Sequence, residues 1–207
     1  MQTINGAPTV FYASGNAQGR SLSGTIRVTS TSDDDFIGFV LGFNSGDLTN
    51  NNTDFILVDW KQADQGGYFG GTALQGLSIS RVTAGLTDNA GAWLHDTTFG
   101  VTELARGTNL GNTGWADNTE YTFNLRFTSS NIQVFVDGVQ ELNINGTFAN
   151  GAFGFYNYSQ ANVLYAGITE DELPPVGTIP EPATWAMLIT GFCLIGVVAR
   201  RRREISD

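Results

Sequence analysis

Three adjacent carboxylates, Asp33, Asp34 and Asp35, form the densest acidic cluster of this 207-residue chain and stand directly before an apolar run, Phe36 to Phe43. Adjacent carboxylates repel one another unless solvent or a cation relieves them. Calcium takes about six to eight oxygens from carboxylates, carbonyls and waters, so a calcium loop is the chemistry these residues suit. They suit equally a solvated turn leading into a strand, because Asp is a common turn residue. No complete D-x-D-x-D-G loop accompanies them. Asp117, just after Gly114-Trp115, is the second candidate ligand.

Other chemistry is poorly provided for. His95, in Trp93-Leu94-His95-Asp96, is the single histidine, so no imidazole-based metal triad can be built. The residue reads as part of a surface loop, and no G-x-S-x-G elbow exists to make it a catalytic base. Glycoside hydrolysis needs two carboxylates about 5–9.5 Å apart across a cleft. The seven glutamates, at 103, 120, 141, 170, 172, 181 and 204, are widely scattered, and the E-x-D-x-E-like spacing of sandwich glucanases is absent. No catalytic residue is assigned, and the chain is read as a non-enzyme. Trp60 lies in an apolar strand and reads as core. Trp93 and Trp115 fall in a long loop, where they would either stack on sugar rings or fill the core. Cys193, the one cysteine, reads as an apolar filler.

These residues must be placed by strands. Before residue 180 the apolar positions recur with period two. Tyr121, Phe123, Leu125 and Phe127 alternate with Thr122, Asn124, Arg126 and Thr128; Ile132, Val134 and Val136 continue the pattern; Asp137-Gly138 is a hairpin signal leading into Gln140–Ile144. Further strands are predicted at 25–29, 36–43, 55–60, 77–82, 153–158 and 163–168. The continuous run Phe36-Ile37-Gly38-Phe39-Val40-Leu41-Gly42-Phe43 suits a strand covered on both faces. Long loops are predicted at 44–54, 63–75 and 84–118. The fold class is all-β, an antiparallel sandwich or jelly roll.

The end of the chain has a different grammar. Pro180-Glu181-Pro182 is followed by an uncharged apolar run, Ala183 to Ala199, and then by Arg200, Arg201, Arg202 and Arg203. As a helix that run would span about 26 Å, the short end of what crosses a membrane. The arginines would hold its end on the cytoplasmic side, with everything before Pro180 outside. Residues 1–182 carry six basic against eighteen acidic side chains, a net charge of −12. That argues against nucleic acid or an anionic membrane as partners, since both need a basic face, and is compatible with cation binding. Lysine occurs once, at Lys61. An exported domain is expected to begin with a signal peptide; the opening Met1-Gln2-Thr3-Ile4-Asn5-Gly6 has no such character, which reads as a truncated start.

The tail, from about Val176 to Arg203, resembles the PEP-CTERM sorting signal of Gram-negative bacteria that make exopolysaccharide. The resemblance implies recognition by an exosortase, removal of the tail, and delivery from the inner membrane to the cell surface or extracellular matrix. The body resembles the thrombospondin C-terminal domain, an L-type-lectin-like sandwich. The ordered phrases are Asp33-Asp34-Asp35-Phe36, Gly38-Phe39-Val40, Gly42-Phe43, Val58, Trp60-Lys61-Gln62, Ala92-Trp93, Gly114-Trp115, Asp117, Tyr121, Gly151, Gly154, Phe155, Tyr158-Ser159-Gln160, Val163 and Tyr165. This resemblance implies a concanavalin A/lectin-like jelly roll, calcium binding, and an adhesive or glycan-binding role. The family's preceding aspartate-rich repeats and its cysteine are absent from this chain. The expected organisation is an N-terminal segment 1–21, the sandwich 22–168, a linker 169–179, and the sorting signal 180–203 with a transmembrane helix at 183–199.

Overall fold

The computed structural model describes residues 1–174. Their strands are β1 (Thr9–Tyr12), β2 (Arg20–Val28), β3 (Phe36–Phe43), β4 (Phe55–Lys61), β5 (Gln65–Tyr68), β6 (Gly71–Ala73), β7 (Gly76–Val82), β8 (Val101–Arg106), β9 (Tyr121–Phe127), β10 (Asn131–Val136), β11 (Val139–Asn145), β12 (Ala152–Tyr158) and β13 (Val163–Glu172). One short helix, α1 (Ala90–Leu94), and a 3-10 turn (Thr97–Phe99) lie between β7 and β8. A six-stranded sheet runs β1-β12-β3-β4-β7-β8 and a five-stranded sheet runs β11-β10-β9-β2-β13, with β5-β6 as a separate hairpin. Every neighbouring pair in the two large sheets is antiparallel.

The alternation in β9 does what period two requires. Phe123, Leu125 and Phe127 are buried, while Thr122 and Arg126 are exposed. These side chains meet Ile37, Phe39 and Leu41 of β3 and Val58 and Trp60 of β4 in the core between the sheets. Burial of each such side chain stabilises the fold by about 1.5–3 kcal/mol. Strand β3 is buried along its whole length, because the six-stranded sheet is covered on both faces. Its outer residues Phe36, Val40 and Phe43 pack with Leu57, Tyr156 and Tyr158 beneath Leu86, Ala92, Trp93 and Val101 of the 83–101 segment. A glycine is obligatory where two backbone segments come closest: a Cβ on Gly38 would lie 2.0 Å from the Val58 carbonyl oxygen in the neighbouring strand, and one on Gly114, in the segment before β9, would lie 1.7 Å from that of Gln62. Asp137 and Gly138 both take positive φ, 48° and 77°, and close the two-residue hairpin between β10 and β11 that the sequence signals.

The sandwich is longer at both ends than residues 22–168. Strand β1 pairs with β12 and β2 begins at Arg20, so part of the 1–21 segment belongs to the sheets. Strand β13 continues to Glu172, into the stretch expected as linker 169–179. Hydrogen bonds to β2 from Thr169 to Glu172 carry it past the apolar pattern. The segment 84–118, expected as loop, contains α1 and β8, and 63–75 contains β5 and β6. The helix expected at 183–199, the Pro180-Glu181-Pro182 element and Arg200–Arg203 lie outside the described residues. Among the described residues no helix is long and apolar enough to cross a membrane.

Candidate functional site

One carboxylate oxygen from each of Asp33, Asp34 and Asp35 lies within 4.8 Å of the others. The unforeseen member is Lys61. It ends β4 on the outer face of the six-stranded sheet, opposite Phe36, and is fully buried. Its Nζ donates to Asp35 Oδ1 at 2.9 Å, to the Asp34 carbonyl at 3.2 Å and to Gln65 Oε1 at 2.8 Å, with Asp34 Oδ1 at 3.5 Å. The ammonium also lies 5.2 Å from the centre of the Phe36 ring and 5.0 Å from that of Trp93, as a cation–π partner would. Its place in the cluster is that of a built-in cation.

Asp35 is committed to this arrangement. It is 3% exposed, its amide donates to Gln160 Oε1, and its carbonyl accepts from Trp115 Nε1. Burial pushes its carboxyl up to about 6 against the lowering pull of Lys61. Asp33 and Asp34 are only partly buried. Asp33 accepts from Asn5 Nδ2 at 2.8 Å, and Asp34 shares Lys61. One ammonium therefore stands beside three carboxylates, paired with Asp35 and shared with Asp34, while Asp33 has only the neutral Asn5 amide. Asp117 does not join the cluster; it accepts from Gln62 Nε2 at 3.2 Å, and the Gln62 amide donates to the Asp34 carbonyl.

Two residues before Lys61, on the same face of β4, Asp59 builds a second buried ion pair. His95 caps α1 in the left-handed region and turns its ring into the protein. Its Nε2 lies 2.9 Å from Asp59 Oδ2 and its Nδ1 lies 3.2 Å from Glu103 Oε2. Burial alone would lower the imidazole pKa, but Asp59 and Glu103 outweigh it and hold His95 up at about 10. His95 is thus an imidazolium clamp and not the surface-loop residue the sequence suggests. Ser78 Oγ donates to Asp59 Oδ1 at 2.6 Å, not to His95, so the three do not form a nucleophile–base pair. Arg106 continues the network to Glu103 at 2.9 Å. Together Lys61 and Asp59 fasten the 33–35 loop and the 83–101 segment to one strand.

The sequence matches the thrombospondin C-terminal region over residues 1–171 and the PEP-CTERM protein-sorting motif over residues 178–203. The chain belongs to the thrombospondin C-terminal family. Thrombospondin-3b of Danio rerio is 28% identical over 190 residues, covering 81% of this chain and 19% of that protein. The chain thus spans about a fifth of the length of the curated relatives it matches. The carbohydrate-binding module CBM66 from Bacillus subtilis superimposes with a TM-score of 0.59 at 9% identity, over 82% of this chain and 84% of that one. A toad ovary galectin in complex with thio-digalactose gives 0.50 at 9% identity, over 80% and 98%. At such identities the likeness is one of fold.

In this thrombospondin C-terminal domain the two candidate stacking tryptophans are core residues. Trp93 is 5% exposed, packed edge-on against Phe36, Tyr68 and Tyr158, and Trp115 is 2% exposed between the sheets. Neither offers a ring face to a sugar. A lone lysine placed after an apolar strand and before a glutamine was the one sequence signal for the Lys61 pair. The Asp59–His95 pair left none, since its members are 36 residues apart.

Proposed function

We propose that this chain is an exported, non-catalytic, calcium-supported adhesive or glycan-binding module, delivered outside the cell by its sorting tail and processed there by an exosortase-type enzyme. The observation that carries the reading is the joining, in one chain, of a thrombospondin C-terminal domain to a PEP-CTERM motif. The lectin-like sandwich supports it, being a fold on which sugar-binding proteins are built. The chemistry of the described residues points the same way. Asp59 and Glu103, which lie on either side of the one histidine, are both held in contact with its ring.

Calcium would be held at the outer side of the aspartate cluster, where Asp33 has a neutral partner in Asn5 and Asp34 has only a share of Lys61. Bound there, it would cross-link the 33–35 loop in a domain whose described residues contain no cysteine. Its expected effect is a melting temperature raised by roughly 5–10 °C at a hundredfold excess over Kd. Magnesium is expected to act much less, because it dehydrates reluctantly. The double variant Asp33→Asn/Asp34→Asn, which leaves Asp35 to Lys61, abolishes the shift in thermal melts of the full chain. An unchanged calcium response in that variant would place the ion elsewhere, and no response in the parent would remove calcium from the reading.

The burial of Trp93 and Trp115 favours a second reading, a structural component of an exopolysaccharide matrix with no specific ligand. Saturable binding of a defined sugar separates the two.

A further inference from the structure

The two sheets differ in what covers them. The six-stranded sheet is covered on both faces, whereas β2, β9 and β10 of the five-stranded sheet bury one face and leave the other open. Those three strands contain no acidic residue, in a stretch, 1–182, that carries six basic against eighteen acidic side chains. The basic groups are unevenly used. Arg20 pairs with Glu170, Lys61 with Asp35, Arg81 with Asp54 and Arg106 with Glu103. Among the described residues Arg27 and Arg126 pair with no carboxylate, and both stand on this open face, on the neighbouring strands β2 and β9.

Arg126 is exposed but held. Its guanidinium lies 4.8 Å from the centre of the Phe135 ring, and its Nε donates to Asn124 Oδ1 at 3.0 Å. Asn124 is itself tied through Nδ2 to Ser23 Oγ at 2.6 Å. The two terminal nitrogens of Arg126 have no partner among the described residues, and such a pair of donors grips a carboxylate bidentately. Register places Ser21 on one side of Arg126 and Gln133 on the other, with Asn143 beyond Gln133. The row across the sheet therefore reads hydroxyl, guanidinium, amide, amide, with neighbours about 5 Å apart. Arg27, one residue beyond the Ile26–Tyr121 pair, stands roughly 20 Å from Arg126 along the strands. Carboxylates border this face: Asp171 opposite Ser21 on β13, Glu120 ahead of β9, and Asp137, which accepts from the Thr122 amide and hydroxyl. The aspartate cluster lies beyond the other sheet, further off than the roughly 10 Å between packed sheets, and is largely screened from here at physiological ionic strength.

We infer that this face binds an acidic polysaccharide, with the carboxylate of one uronic acid residue on Arg126. The inference rests on the glycan-binding reading above and names its ligand class. The planar guanidinium fork matches a planar carboxylate. Ser21, Gln133 and Asn143 supply donors and acceptors for the hydroxyls of the same ring and its neighbours. The span to Arg27 exceeds a single ring, which suits a polymer whose acidic residues recur.

The test is an NMR titration of the 15N-labelled full chain, at constant calcium, with tetragalacturonate and with its methyl ester, which carries no charge. The side-chain amide signals of Asn124, Gln133 and Asn143 shift saturably with the acid, and the ester binds about tenfold more weakly. Arg126→Gln weakens binding of the acid about tenfold, with an unchanged melting temperature because the position is exposed. Arg126→Lys, which keeps the charge but not the fork, recovers only part of the affinity. Equal binding of acid and ester, parental affinity in Arg126→Gln, or shifts confined to residues outside the five-stranded sheet would overturn the inference and leave the glycan-binding reading standing. No binding of either oligomer would overturn it too, and retention on exopolysaccharide then decides that reading separately. Tighter binding of phosphatidylglycerol vesicles than of tetragalacturonate would make this a membrane-facing surface and sink the inference.

Discussion

Lys61→Met lowers the stability of the domain by about 3–5 kcal/mol, the usual consequence of removing one partner of a buried ion pair. The substitution keeps the length of the stem but deletes the ammonium that joins Asp35, Asp34 and Gln65. It leaves the Asp35 carboxyl buried without its counter-charge. Burial already holds Asp35 up at about 6 in the presence of Lys61, so in the variant the group is pushed further up. The sign of the pH dependence follows. A carboxyl raised in the folded state favours folding fully below its ordinary pKa of about 4 and loses that contribution as pH rises through the folded value. The deficit of the variant is therefore smallest in acid and largest above pH about 6. Adding Asp35→Asn restores part of the loss, because no unpaired charge then remains buried. Asp33→Asn, at a partly exposed position, costs far less. Urea unfolding of the four proteins at two pH values measures this; a Lys61→Met deficit under about 1 kcal/mol would show that the pair does not hold the loop.

His95 is expected to remain protonated well past neutrality. Its folded pKa of about 10 stands above the ordinary 6.5, through Asp59 and Glu103 acting against burial. A histidine raised in this way contributes stability that is complete below about pH 6.5 and is lost as pH climbs through the folded pKa. Every tenfold gain in proton affinity on folding is worth about 1.4 kcal/mol, so the loss between pH 6.5 and 10 amounts to several kcal/mol. His95→Gln removes that slope and leaves Asp59 buried with Ser78 as its remaining partner. The chain has one histidine, so its ring resonances are assigned without ambiguity. A ring that titrates near pH 6.5 in the folded protein would contradict the buried clamp.

The sheets were legible because their signal is local. Phe123, Leu125 and Phe127 announce β9, the unbroken run from Phe36 to Phe43 announces a strand covered on both faces, and Asp137-Gly138 announces its hairpin. Strand β8 was not legible, since in Val101-Thr-Glu-Leu-Ala-Arg106 only Val101 is buried and the strand is drawn into the sheet by its pairing with β7. The short strand β1 is fixed likewise by β12, far away in sequence. At the site, adjacency in sequence revealed the three aspartates but not what neutralises them. Lys61 reaches Asp35 across 26 residues and His95 reaches Asp59 across 36. Trp93 and Trp115 sit in segments of loop-like composition, and only the tertiary fold shows that the first covers a sheet face and the second enters the core between the sheets.

The most direct measurement of the central claim is retention of the full chain on exopolysaccharide from the organism that makes it, with the polysaccharide length followed alongside. Saturable retention in calcium, release by a chelator and an unchanged polysaccharide length are the outcomes of a non-catalytic, calcium-supported glycan-binding module. No retention at any calcium concentration, or a polysaccharide progressively shortened by the protein, would contradict it.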